Sequence, residues 1–513
     1  MTHSEPRLEH QTFRVKQLVE DYRAGRIVIP EFQREYVWQR SKAPRLIDSL
    51  YRGFPISSFL LWRSDEETYA RRRDPRPLKS TVMNWLIDGQ QRVITLSRTM
   101  NGDEGIDVVF HPEREEFRLA NAATQKDDNW VRVSDLWDDA SYRRLRRNMD
   151  GSRNADRREA QFEKVRRILD YEIPVVRMVD HSFDAAVKAF TRINTLGVRL
   201  KKEDIESAQI AARHSGFISD EVTPFLHTLR QQGFTRLNVM HLFRACAFVA
   251  KPDGRDRTPL HELQRREVLA AWKATERATE QAIGLIRSEL GLVNMDILWS
   301  GALVVPVIAL CATMSARQRD SKKLAGWLAL AALCHRYSGS SETALDQDLR
   351  ACRDSDPIGA LISNLRKVRS LTAKGQDFSG AIADRSGLLT LYIACMNRGI
   401  RDFYTGGKVL LQSNVDRHHV LPRAQFREEY RRRADNIANM AFIAGDVNKS
   451  IGQTGPEVYL ASVKSRVLKS QCIPTDSVLW RIEQADSFWR VRRQLLADSF
   501  NDYVRQSLPQ RHL

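Results

Sequence analysis

The chain has 513 residues, 42% hydrophobic and 28% charged, with 81 Lys and Arg against 64 Asp and Glu for a formal net charge of +17. These figures describe a soluble globular protein of about two to four domains, and the basic excess favours a polyanionic partner, most simply nucleic acid, over the plainer reading of a merely basic surface. The N-terminus MTHSEPRLEH lacks an apolar signal core, and the longest apolar run, Ile297 to Met314, is broken by Ser300 and Pro306 and is too short for a usual membrane span. Cys246, Cys311, Cys334, Cys352, Cys395 and Cys472 form no C-x-x-C pair and read as buried thiols of a reducing cytoplasm.

In chain order, Thr12 to Ala24 has the spacing of an amphipathic helix that Gly25 ends. Ile27-Val28-Ile29-Pro30 is extended, and Glu31 to Trp38 interleaves three aromatics with Gln33 and Arg34. Ser41 to Arg52 is predicted as a helix and Ile56 to Trp62 as a strand. Leu86-Ile87 ends a second strand that runs into Asp88-Gly89-Gln90-Gln91-Arg92, and Val93 to Met100 is the helix that follows. Ile106 to Phe110 and Phe117 to Leu119 read as paired strands, and Trp130 to Trp137 continues with Val131 and Val133 alternating. Residues 138 to 170 are charged and helical, with arginines that mostly line a solvated face. Tyr171 to Val179 is a strand, and Phe190 to Gly197 turns before a helix from Leu200 to Ala212. From about 200 to 400 the pattern is almost all helical. Gly375 to Gly387 and Gly406-Gly407 suggest a boundary near 400.

A polar glycine turn between strand and helix is a ready anion site, because backbone N–H groups and the helix dipole face outward there. Arg92 can fork onto a phosphate, Asp88 can hold a metal or a ribose hydroxyl, and the Gln side chains can orient a water or read a base edge. The bland alternative is a strand-to-helix turn with a capping Asp and an exposed Arg. Tyr36 and Trp38 can stack a base or simply fill the core.

The densest chemistry lies in Asp416 to Lys449. Val415 to Val420 suits a strand ended by Pro422, Met440 to Ile443 a second, and Asp446 can cap a helix carrying Asn448 and Lys449. Adjacent residues on a strand point to opposite faces, so one imidazole of His418-His419 can hold a metal while the other faces a water. A neutral imidazole can take a proton from that water, and a metal with open positions can take a phosphate oxygen. Further on, Ser477 to Val504 reads as one long helix whose Arg490, Arg492 and Arg493 can lie along DNA, although packing of its apolar face is the safer account.

His418-His419-Val420-x-Pro422, Asn436-x-x-Asn439 and Asn448-Lys449 together resemble an HNH (ββα-metal) nuclease core, in particular the C-terminal domain of GmrSD-type modification-dependent restriction enzymes. Ile29-Pro30-x-Phe32-Gln33-Arg34-x-Tyr36-Val37-Trp38 followed by Ile87 to Arg92 is similar to the N-terminal domain of the same family, of ParB/sulfiredoxin-like fold. The resemblance implies His419 as general base, Asn439 fixing the loop or the base, and His418 and Asn448 as metal ligands. It implies Gln33, Arg34, Asp88, Gly89, Gln90, Gln91, Arg92 and Asn194 as nucleotide-site residues; a turn-forming role accounts equally well for Asn194. His418 stands where that family usually has an acidic residue, which leaves Mg²⁺, Mn²⁺, Zn²⁺ and Ni²⁺ open as the metal. The expected architecture is α+β: a ParB/sulfiredoxin-like nucleotide-binding domain (1–200), a helical linking domain (201–400) and an HNH-type domain (401–513).

The expected activity is that of a cytoplasmic, nucleotide-regulated, metal-dependent DNA endonuclease with NTPase activity, acting in defence on foreign or modified DNA. Its expected partners are DNA and a nucleoside triphosphate, with a homo-oligomer open and no membrane. The alternatives are a nucleotide-gated DNA-binding regulator that no longer cuts, and an RNase or toxin.

Overall fold

The computed structural model describes residues 5–30, 38–64, 83–102, 105–149, 155–196, 202–214, 216–251, 259–315, 317–339, 341–381, 383–409 and 415–512. The protein is mixed α/β and divides into two compact units, Met1–Thr223 and Pro224–Leu513. The boundary expected near residue 400 lies inside the second unit.

In the first unit, strands β1 (Arg7–Arg14), β2 (Ile27–Val28), β3 (Phe59–Ser64), β4 (Met83–Asp88), β5 (Val108–His111), β6 (Glu116–Leu119), β7 (Val131–Arg132) and β8 (Glu172–Val179) build two sheets. The larger runs β1-β8-β3-β4-β2, with β8–β3 and β4–β2 parallel and the other pairs antiparallel. The smaller, β6-β5-β7, is antiparallel throughout. Pro174 is tolerated in β8 because β3 pairs only from Val175 onward, leaving Pro174 a sheet neighbour on one side alone. Helices α1 (Val15–Arg23), α2 (Lys42–Tyr51) and α3 (Gln90–Asn101) supply Leu18, Val19, Ile47, Leu50, Val93 and Leu96 to one core with Phe59, Leu61 and Leu86 from the sheet.

Two local expectations are corrected here. The helix expected from Thr12 starts at Val15, because Arg7–Arg14 is an edge strand paired residue for residue with β8. Its sequence RLEHQTFR is polar because an edge strand faces water, so it carries no apolar alternation. The strand expected over Trp130 to Trp137 stops at Arg132. Val133, Leu136 and Trp137 are buried at helical spacing in a short helix, Val133–Trp137.

The second unit is mainly helical. Val239–Ala250, Arg265–Leu290, Val305–Thr313, Ser321–Leu333 and Arg385–Asn397 are its main inner helices. The apolar run at 297–314 is a loop, a short 3₁₀ turn and the buried helix Val305–Thr313, with Pro306 in the first turn where its missing N–H costs nothing. Among the described residues no helix is long and apolar enough to cross a membrane. All six cysteines are free and buried. The long C-terminal helix is shorter than expected: it runs Ala485–Ser507, preceded by 3₁₀ turns at Ser477–Trp480 and Ile482–Gln484. It packs against Arg385–Asn397 and carries Phe488 and Trp489 into the core that surrounds the last two strands.

Candidate active site

The glycine turn of the first unit is built from within. β4 ends at Asp88 and α3 begins at Gln90, so Gly89 makes the whole turn at φ +104°. A Cβ there would stand 2.3 Å from Phe59 Cδ1, so only glycine fits. The Phe59 ring carries the Arg92 guanidinium 4.4 Å from its centroid. Arg92 Nη1 donates to the carbonyls of Ile56 (2.6 Å) and Ser57 (3.0 Å), and Nη2 to the Ser58 carbonyl (2.9 Å) and Asp88 Oδ2 (2.8 Å).

The expectation that Arg92 forks onto a phosphate is therefore not met here: its planar fork is matched by four oxygens of its own fold. Asp88, expected to hold a metal or ribose hydroxyl, is that fork's carboxylate. Gln91 Oε1 accepts from the Trp38 backbone N–H at 3.1 Å, and Gln90 is buried. Trp38 packs against the core, which favours the core reading of that aromatic. Gln33, Arg34 and Tyr36 lie outside the described residues. Asn194, expected in a turn, belongs to the last turn of the helix Phe183–Leu196, and its side chain lies outside the described part.

In the second unit, β9 (Val415–His419) and β10 (Met440–Ala444) pair antiparallel, His418 opposite Ala441 and His419 opposite Met440, and the helix Gly445–Ile451 follows directly. Its N-cap is Ala444, whose N–H donates to Asp402 Oδ2 at 2.8 Å; Asp446, expected as the cap, sits one step inside the first turn. The free edge of β10 is occupied by Gln471, which accepts from Phe442 N (2.9 Å) and donates to Phe442 O (2.8 Å). Arg492, expected along DNA, is fully buried and donates to the carbonyls of Ala438 (2.8 Å), Met440 (2.7 Å) and Gln471 (3.1 Å). It is a brace under β10.

Asn439 is wholly buried. Its Nδ2 donates to the carbonyls of Leu421 and Ala434, both at 2.9 Å, and its Oδ1 accepts from Leu421 N at 2.9 Å. It cannot touch a substrate and so does not belong among residues that do chemistry; of the two roles expected for it, fixing the loop or the base, its bonds are those of the first, holding the two ends of the loop between the strands. Asn436 starts the 3₁₀ turn at Ile437–Asn439 by accepting from Ala438 N at 2.9 Å.

The two imidazoles live in different surroundings. His419 is 27% exposed, and its Nε2 lies 3.0 Å from Asp435 Oδ1. A carboxylate only accepts, so the neutral ring carries its proton on Nε2 and keeps a lone pair on Nδ1, the form a general base needs. The other Asp435 oxygen is 3.6 Å from Arg423 Nη1.

His418 is 4% exposed. Its Nε2 is 3.1 Å from the Tyr459 hydroxyl, which donates its one proton to the Val420 carbonyl at 2.6 Å. The hydroxyl therefore accepts from His418, so Nε2 carries the proton. Burial pushes this imidazole down to about 4, so near neutral pH it holds that one proton only. Nδ1 is then a bare lone pair, and it faces Asn448 Oδ1 at 2.8 Å. Asn448 Nδ2 is engaged at 2.9 Å by Asp416 Oδ2. Two lone pairs this close repel unless a cation lies between their reach. The donor set therefore fits a divalent metal, with imidazole and carboxamide as ligands. Among the described residues no group of three or more His, Cys, Asp or Glu is placed to hold a metal, so a cation here would rest on this mixed pair and keep open positions.

Asp416, Asp435 and Tyr459 were not singled out from the sequence. Asp416 had a signal, since residues two apart on a strand share a face with His418. Asp435 and Tyr459 are brought in by the loop and by a later helix, 16 and 41 positions away from their partners.

A basic chain that offers a base-competent imidazole beside a cation-fitting pair has the parts of a nuclease-type enzyme. Residues 15–211 match the family model described as GmrSD restriction endonuclease, N-terminal domain, so the chain carries a GmrSD-type N-terminal domain, from a family of restriction endonucleases whose partner is DNA. An uncharacterized protein of Methanocaldococcus jannaschii is 21% identical over 554 residues, an alignment covering 93% of this chain and 91% of that protein.

Proposed function

We propose that this protein is a metal-dependent endonuclease of HNH type, directed by its GmrSD-type N-terminal domain against foreign or modified DNA. The observation that carries the reading is the pairing of His418 Nδ1 with Asn448 Oδ1 at 2.8 Å, one residue along the strand from an imidazole whose Nε2 is fixed by Asp435. His419 takes a proton from the attacking water at Nδ1 while Nε2–H stays donated to Asp435. Asn439 and Arg492 hold the loop and strand that bring Asp435 to His419. His418 and Asn448 would hold the divalent cation, Mg²⁺ or Mn²⁺, which when bound supplies Lewis-acid stabilisation of the charged pentacoordinate phosphate. The exposed Arg423, Arg427, Arg431 and Arg432 on the loop between the strands offer phosphate contacts.

The N-terminal domain would bind and hydrolyse a nucleoside triphosphate and so gate cutting. The family match and the strand–glycine–helix turn support this part. Because Arg92 is engaged by its own fold, the phosphates would rely on other groups, with Gln33 and Arg34 the candidates from the sequence.

The test is incubation of purified protein with modified and unmodified plasmid, Mg²⁺ or Mn²⁺, and each nucleotide, beside H419A. Metal-dependent nicking or cutting that H419A loses is expected. Unchanged cutting by H419A removes the assignment of the base. DNA binding without cutting in any metal would favour a regulator, and cleavage of RNA alone an RNase.

A further inference from the structure

We infer that Asp416 is the positioning residue that sets the direction of the Asn448 carboxamide and so keeps its oxygen aimed at the cation position. This rests on the reading that His418 and Asn448 hold a divalent metal. A carboxamide presents an oxygen on one side and an NH₂ on the other, and a half-turn exchanges them. Asn448 has two polar neighbours, Asp416 Oδ2 at 2.9 Å and His418 Nδ1 at 2.8 Å. With His418 Nε2–H donated to Tyr459, an unconstrained Asn448 would turn its NH₂ to His418 Nδ1. That hydrogen bond would close the metal position with a donor. Asp416 prevents the turn, because its carboxylate accepts and cannot donate, so the NH₂ must face it. The backbone makes this possible: Asp416 and His418 are two apart on β9, on one face, opposite Ile443 and Ala441. The helix Gly445–Ile451 starts directly from β10, and it places Asn448 between them.

The inference separates orientation from charge. In D416A the amide is free to turn, and Mn²⁺ affinity should fall by about 10- to 100-fold, the usual size for an outer partner of a metal ligand. Turnover at saturating Mn²⁺ should be largely kept. D416N can donate to the Asn448 oxygen as well as accept from its NH₂, so it no longer holds the amide one way round and should lose Mn²⁺ affinity as D416A does. The carboxylate of N448D presents an oxygen whichever way it turns, so D416A/N448D should bind Mn²⁺ as tightly as N448D alone.

The experiment is calorimetric titration of Mn²⁺ into the full-length, EDTA-stripped proteins, with melting temperatures in EDTA to verify folding. Should D416A not fold, D416V, better suited to a strand, takes its place. Unchanged affinity in D416A, or a loss from N448D to D416A/N448D as large as that from wild type to D416A, would overturn the inference, the second by showing that the charge of Asp416 itself is what matters. Wild-type protein that binds no Mn²⁺ and cuts nothing would remove the reading of the site together with it. A wild type that binds and cuts, with D416A unaffected, would remove this inference alone.

Discussion

The Asp88–Arg92 turn and the His418–Asn448 pair are both built where a strand meets a helix, yet they are opposites in their unmet chemistry. In the turn, a guanidinium and a carboxylate meet each other, and three carbonyls take the other three N–H groups of Nη1 and Nη2. At the His418–Asn448 pair, two acceptors face each other at 2.8 Å, one on a buried ring and the other on a half-buried carboxamide. The contrast teaches that residue type does not say whether a polar motif serves the fold or a ligand. Counting donors against acceptors does: the four terminal N–H groups of Arg92 all meet oxygens of the fold, and the imidazole–carboxamide pair closes only with a cation.

The sharpest way to break the contrast is in activity. H419A should lower cleavage by about 100- to 10,000-fold, the range for loss of a general base, with the melting temperature little changed. A plasmid nicking time course checks this. In the turn, R92A should instead cost stability, about 3 kcal/mol, by stranding Asp88 and the Ile56–Ser58 carbonyls around a lost charged donor. A urea melt of the full chain reads it.

A pH effect of similar size separates the two regions further. His418 is held down to about 4 when folded, against its ordinary value of 6.5. Between those values the unfolded chain binds more protons, so stability rises with pH there and is lost as pH falls from 6.5 toward 4. The loss attributable to this ring reaches about 3 kcal/mol. H418N should flatten that part of a stability profile measured without metal, while R92A leaves it in place. The smallest expected effect is G89A, about 1 to 3 kcal/mol, from a left-handed backbone and a Cβ pressed on Phe59. Thermal melting measures it.

Much of this was legible in the sequence. β5, β6, β8 and β10 lie in stretches that read as strands from the sequence, β10 as a short apolar run, and the spacing of His418, His419, Asn439 and Asn448 marked the strands and helix that bring them together. What was hidden depended on distant partners. Arg7–Arg14 is polar and becomes a strand only by pairing with β8. Arg92 and Arg492 read as surface cations, but each turns inward because carbonyls converge on it from segments far along the chain. Asp435 meets His419 from a loop that Asn439 ties at the neighbouring Ala434 carbonyl.

The most direct measurement is Mn²⁺ titration of H418A and H419A side by side with the wild type. The account predicts that H419A binds Mn²⁺ as the wild type does yet fails to cut, while H418A loses the binding. Retained binding in H418A, or its loss in H419A with H418A unaffected, would contradict the division of labour between the two rings.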